Sequence, residues 1–104
     1  MGALNGEFYG AYGEHQLYLT IHDSNDITGV INGTARYFGK SGQATGTYTA
    51  GTTQATIFLG VTSGGVREQW TLTTSDYNTL SGTRNFAQSD GTMSTQSIGL
   101  GRTS

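Results

Sequence analysis

Apolar residues recur at every second position in short runs, and the runs are separated by Gly, Asn, Asp and Ser. This period of two is the signature of half-buried strands, and no stretch shows the 3.6-residue period of a helix. The pattern predicts eight strands. They run roughly over Glu7–Tyr12, Gln16–His22, Asp26–Phe38 with a break, Gln43–Ala50, Thr53–Val61, Val66–Thr73, Thr79–Phe86 and Met93–Leu100. The connections are short, as in an antiparallel meander. Each hairpin must set inward residues against inward residues, because a slip of one residue turns every side chain over. Folding about Ser24 sets Ile21 against Ile27 and Leu17 against Ile31. Folding about Ser63-Gly64 sets Val61 against Val66, and folding about Asp76 sets Leu72 against Leu80 and Glu68 directly against Arg84. The long third strand changes parity between Ile31 and Phe38, which a bulge at Asn32-Gly33 would explain.

Composition points the same way. Eighteen Thr, seventeen Gly and no Pro in 104 residues favour strands joined by turns and bulges. The expected fold is all-β: one domain over residues 1–104, a small antiparallel up-and-down meander closed into an eight-stranded barrel. A two-sheet β-sandwich is the alternative. A barrel of this size is just filled by its side chains or holds one small ligand.

Charge narrows the function classes. Charged residues make up 12% of the chain and the formal net charge is -2. Five scattered Lys and Arg form no basic stripe, so nucleic acid is not an expected partner. No apolar run approaches the roughly 18 residues of a membrane helix, and Met1 to Tyr12 has neither the basic nor the apolar region of a signal peptide. The expectation is a soluble chain without membrane insertion, in a compartment the sequence does not specify. With no Cys, thiolate zinc sites and cysteine nucleophiles are excluded. His15 and His22 lack further ligands at metal spacing, and no metal or cofactor is expected. His22 reads as a solvated turn residue.

Three segments share a rhythm of a hydrophobic or small residue, Thr or Ser, and Gly: Ile27-Thr28-Gly29-Val30-Ile31, Ala44-Thr45-Gly46-Thr47-Tyr48 and Leu80-Ser81-Gly82-Thr83-Arg84. With Gly6-Glu7-Phe8-Tyr9 opening the first strand, and Glu68-Gln69-Trp70-Thr71-Leu72-Thr73 before Ser81-Gly82-Thr83-Arg84-Asn85-Phe86, the chain resembles the avidins and streptavidins, calycin-type β-barrels. The resemblance spans residues 6 to 86 loosely and implies a ligand-sized barrel. It also implies that biotin is not the ligand. Gly10, Glu14 and Ile31 stand where that family contacts biotin through Asn, Ser and Tyr, and there is a single Trp. Trp70 and Asn85 keep the family register.

Glu68 and Arg84 fall on the same face as Val66, Trp70, Leu72, Leu80 and Phe86. An ion pair on an apolar face is costly unless fully hydrogen-bonded, and Arg presents a bidentate fork to carboxylate or phosphate. One reading makes Arg84 the contact for a ligand's anionic or polar end, positioned by Glu68. The plainer reading is a structural pair near the barrel mouth. The Gly33 bulge would turn Arg36 inward beside Phe38, and Tyr12, Tyr48 and Trp70 would line a pocket or simply fill the core. A turn at Asp90-Gly91 sends Ile98 and Leu100 outward, where with Phe58 they would form a subunit interface, whereas a bulge near Gln96 would put Ile98 inside.

The leading expectation is therefore a non-enzymatic barrel, homo-oligomeric, binding an apolar or amphipathic small molecule through Arg84, Glu68, Trp70, Tyr48, Tyr12, Arg36 and Asn85. The alternatives are a structural protein with a filled core that acts through oligomerisation, and a barrel isomerase or cyclase using the Arg/Glu pair. No catalytic residue is assigned.

Overall fold

A computed structural model describes residues 4–12, 15–37, 39–88 and 90–103, with the side chains of positions 12 and 15 outside the description. Eight antiparallel strands follow one another in chain order and close into a barrel. They are β1 (Gly6–Tyr12), β2 (His15–Ser24), β3 (Val30–Tyr37), β4 (Lys40–Ala50), β5 (Ala55–Ser63), β6 (Val66–Thr74), β7 (Thr79–Ala87) and β8 (Met93–Arg102). The sandwich alternative is excluded, because β1 pairs with β8 and the sheet has no break. That closing ladder is short. Among the described residues it holds only Phe8 against Arg102 and Tyr9 against Gly101.

Alternation divides each strand as expected. Leu17, Leu19 and Ile21 of β2, Ile57, Leu59 and Val61 of β5, and Trp70 and Leu72 of β6 are buried, while outward positions carry Thr, Ser, Gln and Asn. Leu4, fully buried, joins the interior ahead of β1. Inward glycines let the strands coil tightly. A Cβ on Gly46 would lie 1.8 Å from the carbonyl oxygen of Phe58, and one on Gly82 1.9 Å from that of Thr71.

Four details differ from the sequence reading, and each has a local cause. First, the β2–β3 connection is a loop over 25–29 and not a turn at Ser24. The Asn25 side-chain oxygen accepts from the amides of Ile27 and Thr28, and Gly29 takes a positive φ. Ile27 is thus 96% exposed, not core.

Second, the bulge lies in β2 between Ile21 and Asp23, not at Asn32-Gly33 of β3. β3 keeps one parity throughout, burying Ile31, Ala35 and Tyr37, so Arg36 points to solvent. Phe38 lies outside the described residues.

Third, the hairpins about Ser63-Gly64 and Asp76 are each offset by two residues, which preserves the faces. Glycines at both turn positions, Gly64 and Gly65 with φ of 58° and 83°, suit a two-residue hairpin and set Ser63 against Val66. Val66 is consequently half-exposed at the tip.

Fourth, the β7–β8 connection is longer than the Asp90-Gly91 pair. The Gln88 amide donates to Thr92 O, and the Asp90 carboxylate accepts from Thr92. The register moves by one residue and the faces invert. Ile98 and Leu100 are buried, opposite Gly82 and Leu80, and Met93 is exposed. The expectation that Ile98 and Leu100 form an outward interface is therefore corrected; Phe58 does point outward, 44% exposed.

Candidate functional site

The two halves of the interior differ in chemistry. Toward the end carrying the β2–β3, β4–β5 and β6–β7 loops the core is aliphatic, with Leu4, Ile21, Ile31, Ile57, Leu72, Leu80 and Leu100 buried. Toward the opposite end, where the β5–β6 and β7–β8 hairpins turn, it becomes polar and aromatic. There β3 contributes Tyr37, β6 contributes Glu68 and Trp70, β7 contributes Arg84 and Phe86, and β8 contributes Gln96.

Glu68 and Arg84 are 4% and 5% exposed, and they meet as a two-point pair. Arg84 Nε donates to Glu68 Oε1 at 2.8 Å and Nη2 donates to Oε2 at 2.6 Å. The two residues are not directly opposed. Arg84 faces Trp70 across the β6–β7 ladder, and the pair forms on the diagonal. Trp70 uses its place between them: its indole N–H donates to Glu68 Oε1 at 2.9 Å. Arg84 Nη1 donates to the side-chain oxygen of half-buried Gln96 at 2.7 Å. The guanidinium lies 4.1 Å from the centroid of the Phe86 ring and 5.8 Å from that of Tyr37. Tyr37 packs edge-on against Trp70 with centroids 5.5 Å apart. Among the described residues no buried side-chain polar atom lacks a hydrogen bond, the condition under which charge survives in a core.

The neighbouring phenol responds to this environment. Burial, and after it the Glu68 carboxylate, push the Tyr37 hydroxyl above the usual tyrosine range. The Arg84 charge and a hydrogen bond with Ser63 pull the other way.

The remaining sequence candidates separate. Tyr48 is buried at the other end of the barrel, where its hydroxyl hydrogen-bonds the Asp26 carboxylate. Desolvation and that carboxylate raise its pKa to about 12. Tyr48 therefore does not join Trp70 in one pocket. Asn85 lies on the outer face, accepting from Thr95 Oγ1 at 2.8 Å, so it is not an interior ligand contact. Arg36 is likewise outside and stacks over Tyr18, 4.8 Å from its centroid. The Tyr12 side chain lies outside the described residues.

Sequence reasoning overlooked Gln96 and Tyr37. Both depended on parity: Gln96 enters once the β7–β8 connection has its full length, and Tyr37 once the bulge is moved to β2. It also overlooked Arg102, whose guanidinium donates to the backbone oxygens of Asn5 and Tyr77 and ties the chain's two ends to the β6–β7 loop. An Arg three residues from the terminus gives no periodic signal.

The fold and the site define a class: a small closed up-and-down barrel with an apolar floor and a satisfied ionic layer near one mouth. No family model, curated protein or solved structure matches the chain.

Proposed function

We propose that this chain is a non-enzymatic binding protein for a small amphipathic molecule with an anionic or polar end. The ligand rests at the mouth on half-buried Phe86 and beside half-buried Gln96, above the buried Tyr37 and Trp70, with its polar end at Arg84. The observation that carries this is the location of charge. A buried ion pair adds little net stability, and apolar residues of similar volume commonly replace one without loss. Stability alone thus gives no reason to place Glu68 and Arg84 inside a barrel whose interior is otherwise mostly aliphatic and aromatic.

The arrangement also supplies an exchangeable position. Glu68 holds Arg84 by two charge-assisted bonds, whereas Gln96 offers Nη1 only a neutral amide oxygen. A carboxylate or phosphate oxygen makes the stronger bond to that nitrogen and displaces the amide. Biotin is not the proposed ligand. Ile31 is core and Asn85 faces outward, so neither position supplies a polar contact inside.

The test is thermal stabilisation by a series of alkyl and aryl carboxylates beside the matching alcohols. A ligand at one hundred times its Kd stabilises by about 2.7 kcal/mol. The reading predicts that carboxylates raise Tm more than alcohols and that Gln96→Glu, which places a permanent carboxylate at Nη1, removes the response. A carboxylate response unchanged in Gln96→Glu would refute it.

Self-association is a second reading with its own observation. Of the outward positions in β4 to β8, only Arg67 carries a charge, and Phe58 projects amid Thr47 and Thr71. Depletion of charge around an aromatic residue is typical of the centre of an interface. Sedimentation of wild type and Phe58→Lys tests this: a dimer or larger assembly that falls to monomer supports it, and a wild-type monomer excludes it. The Thr-rich outside is also the reverse of the apolar band of a membrane barrel.

A further inference from the structure

A concavity lies on the outside of the barrel, away from the Glu68–Arg84 pair. It has a volume of about 280 Å³ and is lined by side chains of β1, β2 and β3 with Thr103 of the C-terminal segment. Its base is an aromatic pair. Tyr9 and Tyr18 face each other across the β1–β2 ladder, with ring centroids 5.0 Å apart and planes tilted by 51°. Arg36, opposite Tyr18 on β3, lays its guanidinium over the Tyr18 ring. Glu7 forms part of the rim, with the hydroxyls of Thr20, Thr34 and Thr103.

Backbone contacts hold this shape. The Thr103 amide donates to Glu7 O at 2.8 Å, which folds the C-terminal segment against β1 as one wall. The β2 bulge next to Thr20 adds local twist to the adjoining sheet.

We infer that this outer concavity is a binding site for a single sugar ring. A sugar offers C–H faces to an aromatic wall and hydroxyls that each donate and accept. The site has both kinds of partner: Tyr9 and Tyr18 for the ring face, the Glu7 carboxylate as acceptor, the Arg36 guanidinium as donor, and hydroxyls that do either. Its volume is at the lower end of small-molecule sites, which start near about 300 Å³, and so suits one ring. A phosphate-bearing ligand fits less well, because Glu7 repels it and, among the described residues, Arg36 is the one cation in the lining. An extended peptide has no open edge beside this site, because β1 pairs with β2 on one side and with Gly101, Arg102 and Thr103 on the other. The inference does not rest on the ligand proposed for the mouth, and the two sites fail separately.

The test is titration of the full chain with the methyl glycosides of glucose, galactose, mannose and N-acetylglucosamine, followed by NMR at the Tyr9 and Tyr18 rings and the Thr20 and Thr34 amides. Inorganic phosphate serves as the comparison probe. The inference predicts saturable shifts confined to this face with at least one glycoside, at millimolar Kd. Affinity should weaken by at least about tenfold, equivalent to about 1.4 kcal/mol, in both Glu7→Gln and Arg36→Ala. Both positions are exposed, so these variants are expected to fold, and exposed Gln69 of β6, away from the site, provides a neutral control through Gln69→Ala. Absence of saturation with every glycoside overturns the inference. So does affinity that is unchanged in both variants, or a larger saturable response to phosphate than to any sugar.

Discussion

Replacing Glu68 by Leu tests the most unusual feature of this interior. The substitution leaves Arg84, 5% exposed, without the two acceptors at 2.8 and 2.6 Å, and leaves the Trp70 indole N–H without its acceptor at 2.9 Å. Removing one partner of a buried pair costs about 3–5 kcal/mol, and an unpaired buried N–H costs about 1–3 kcal/mol. The two effects share one site and overlap, so we expect a loss of about 4 kcal/mol from a total that for such domains lies near 5–15 kcal/mol. At about 4–8 °C per kcal/mol for a domain near this size, Tm falls by roughly 15–30 °C. The double variant Glu68→Leu, Arg84→Met removes both charges while keeping the volume filled. It should recover most of the loss and retain only the cost of the orphaned indole, about 1–3 kcal/mol. Urea unfolding of wild type, both single variants and the double variant closes the cycle. A coupling energy above about 2 kcal/mol is expected. Additive single losses, or a Glu68→Leu loss below about 1 kcal/mol, would show that water shares the pair and would refute the account of a dry ionic layer.

Gly82→Ala places a Cβ 1.9 Å from the Thr71 carbonyl oxygen, so the β6–β7 ladder must part, and the urea midpoint should drop by the equivalent of roughly 3 kcal/mol. Tyr48 and Tyr37 both ionise later in the folded chain than in the unfolded one, Tyr48 at about 12. Their contribution is therefore complete below the ordinary tyrosine value of 10.0 and is lost as pH rises toward 12, and Tyr48→Phe should flatten this alkaline limb of stability against pH. Hydrogen exchange should be fastest, among the barrel ladders, at the β1–β8 seam around Tyr9 and Gly101, where the described ladder has two pairs, and slowest along β5–β6, where it has nine and where Ile57, Leu59, Val61, Trp70 and Leu72 are buried.

Most of the fold is legible in alternation alone, because eight strands each bury one face and the alternating residues are chemically distinct. Register is less legible, because it depends on loop length. At Gly64-Gly65 and Asp76 the error was two residues, which leaves Leu72, Trp70 and Arg84 on the correct face. At Asp90-Gly91 it was one residue, and Ile98 and Leu100 changed sides. The difference comes from turn chemistry: Asp90 organises Thr92 through its side chain, so a strong two-residue signal sits inside a longer loop. The Glu68–Arg84 pair was visible despite the wrong register because Arg is long enough to reach diagonally across strands. Its third partner, Gln96, depended on the inverted strand. The outer Tyr9–Tyr18–Arg36 face was hidden for another reason: outward residues give no periodic signal of a shared concavity.

The central claim, that the ionic layer serves a bound molecule, is tested most directly by native mass spectrometry of the wild-type chain and the Glu68→Leu, Arg84→Met variant, each purified gently and compared with its denatured mass. The account predicts a small-molecule adduct on folded wild type that denaturation releases, and its absence from the folded double variant. A bare mass in both proteins, or the same adduct in both, would contradict it.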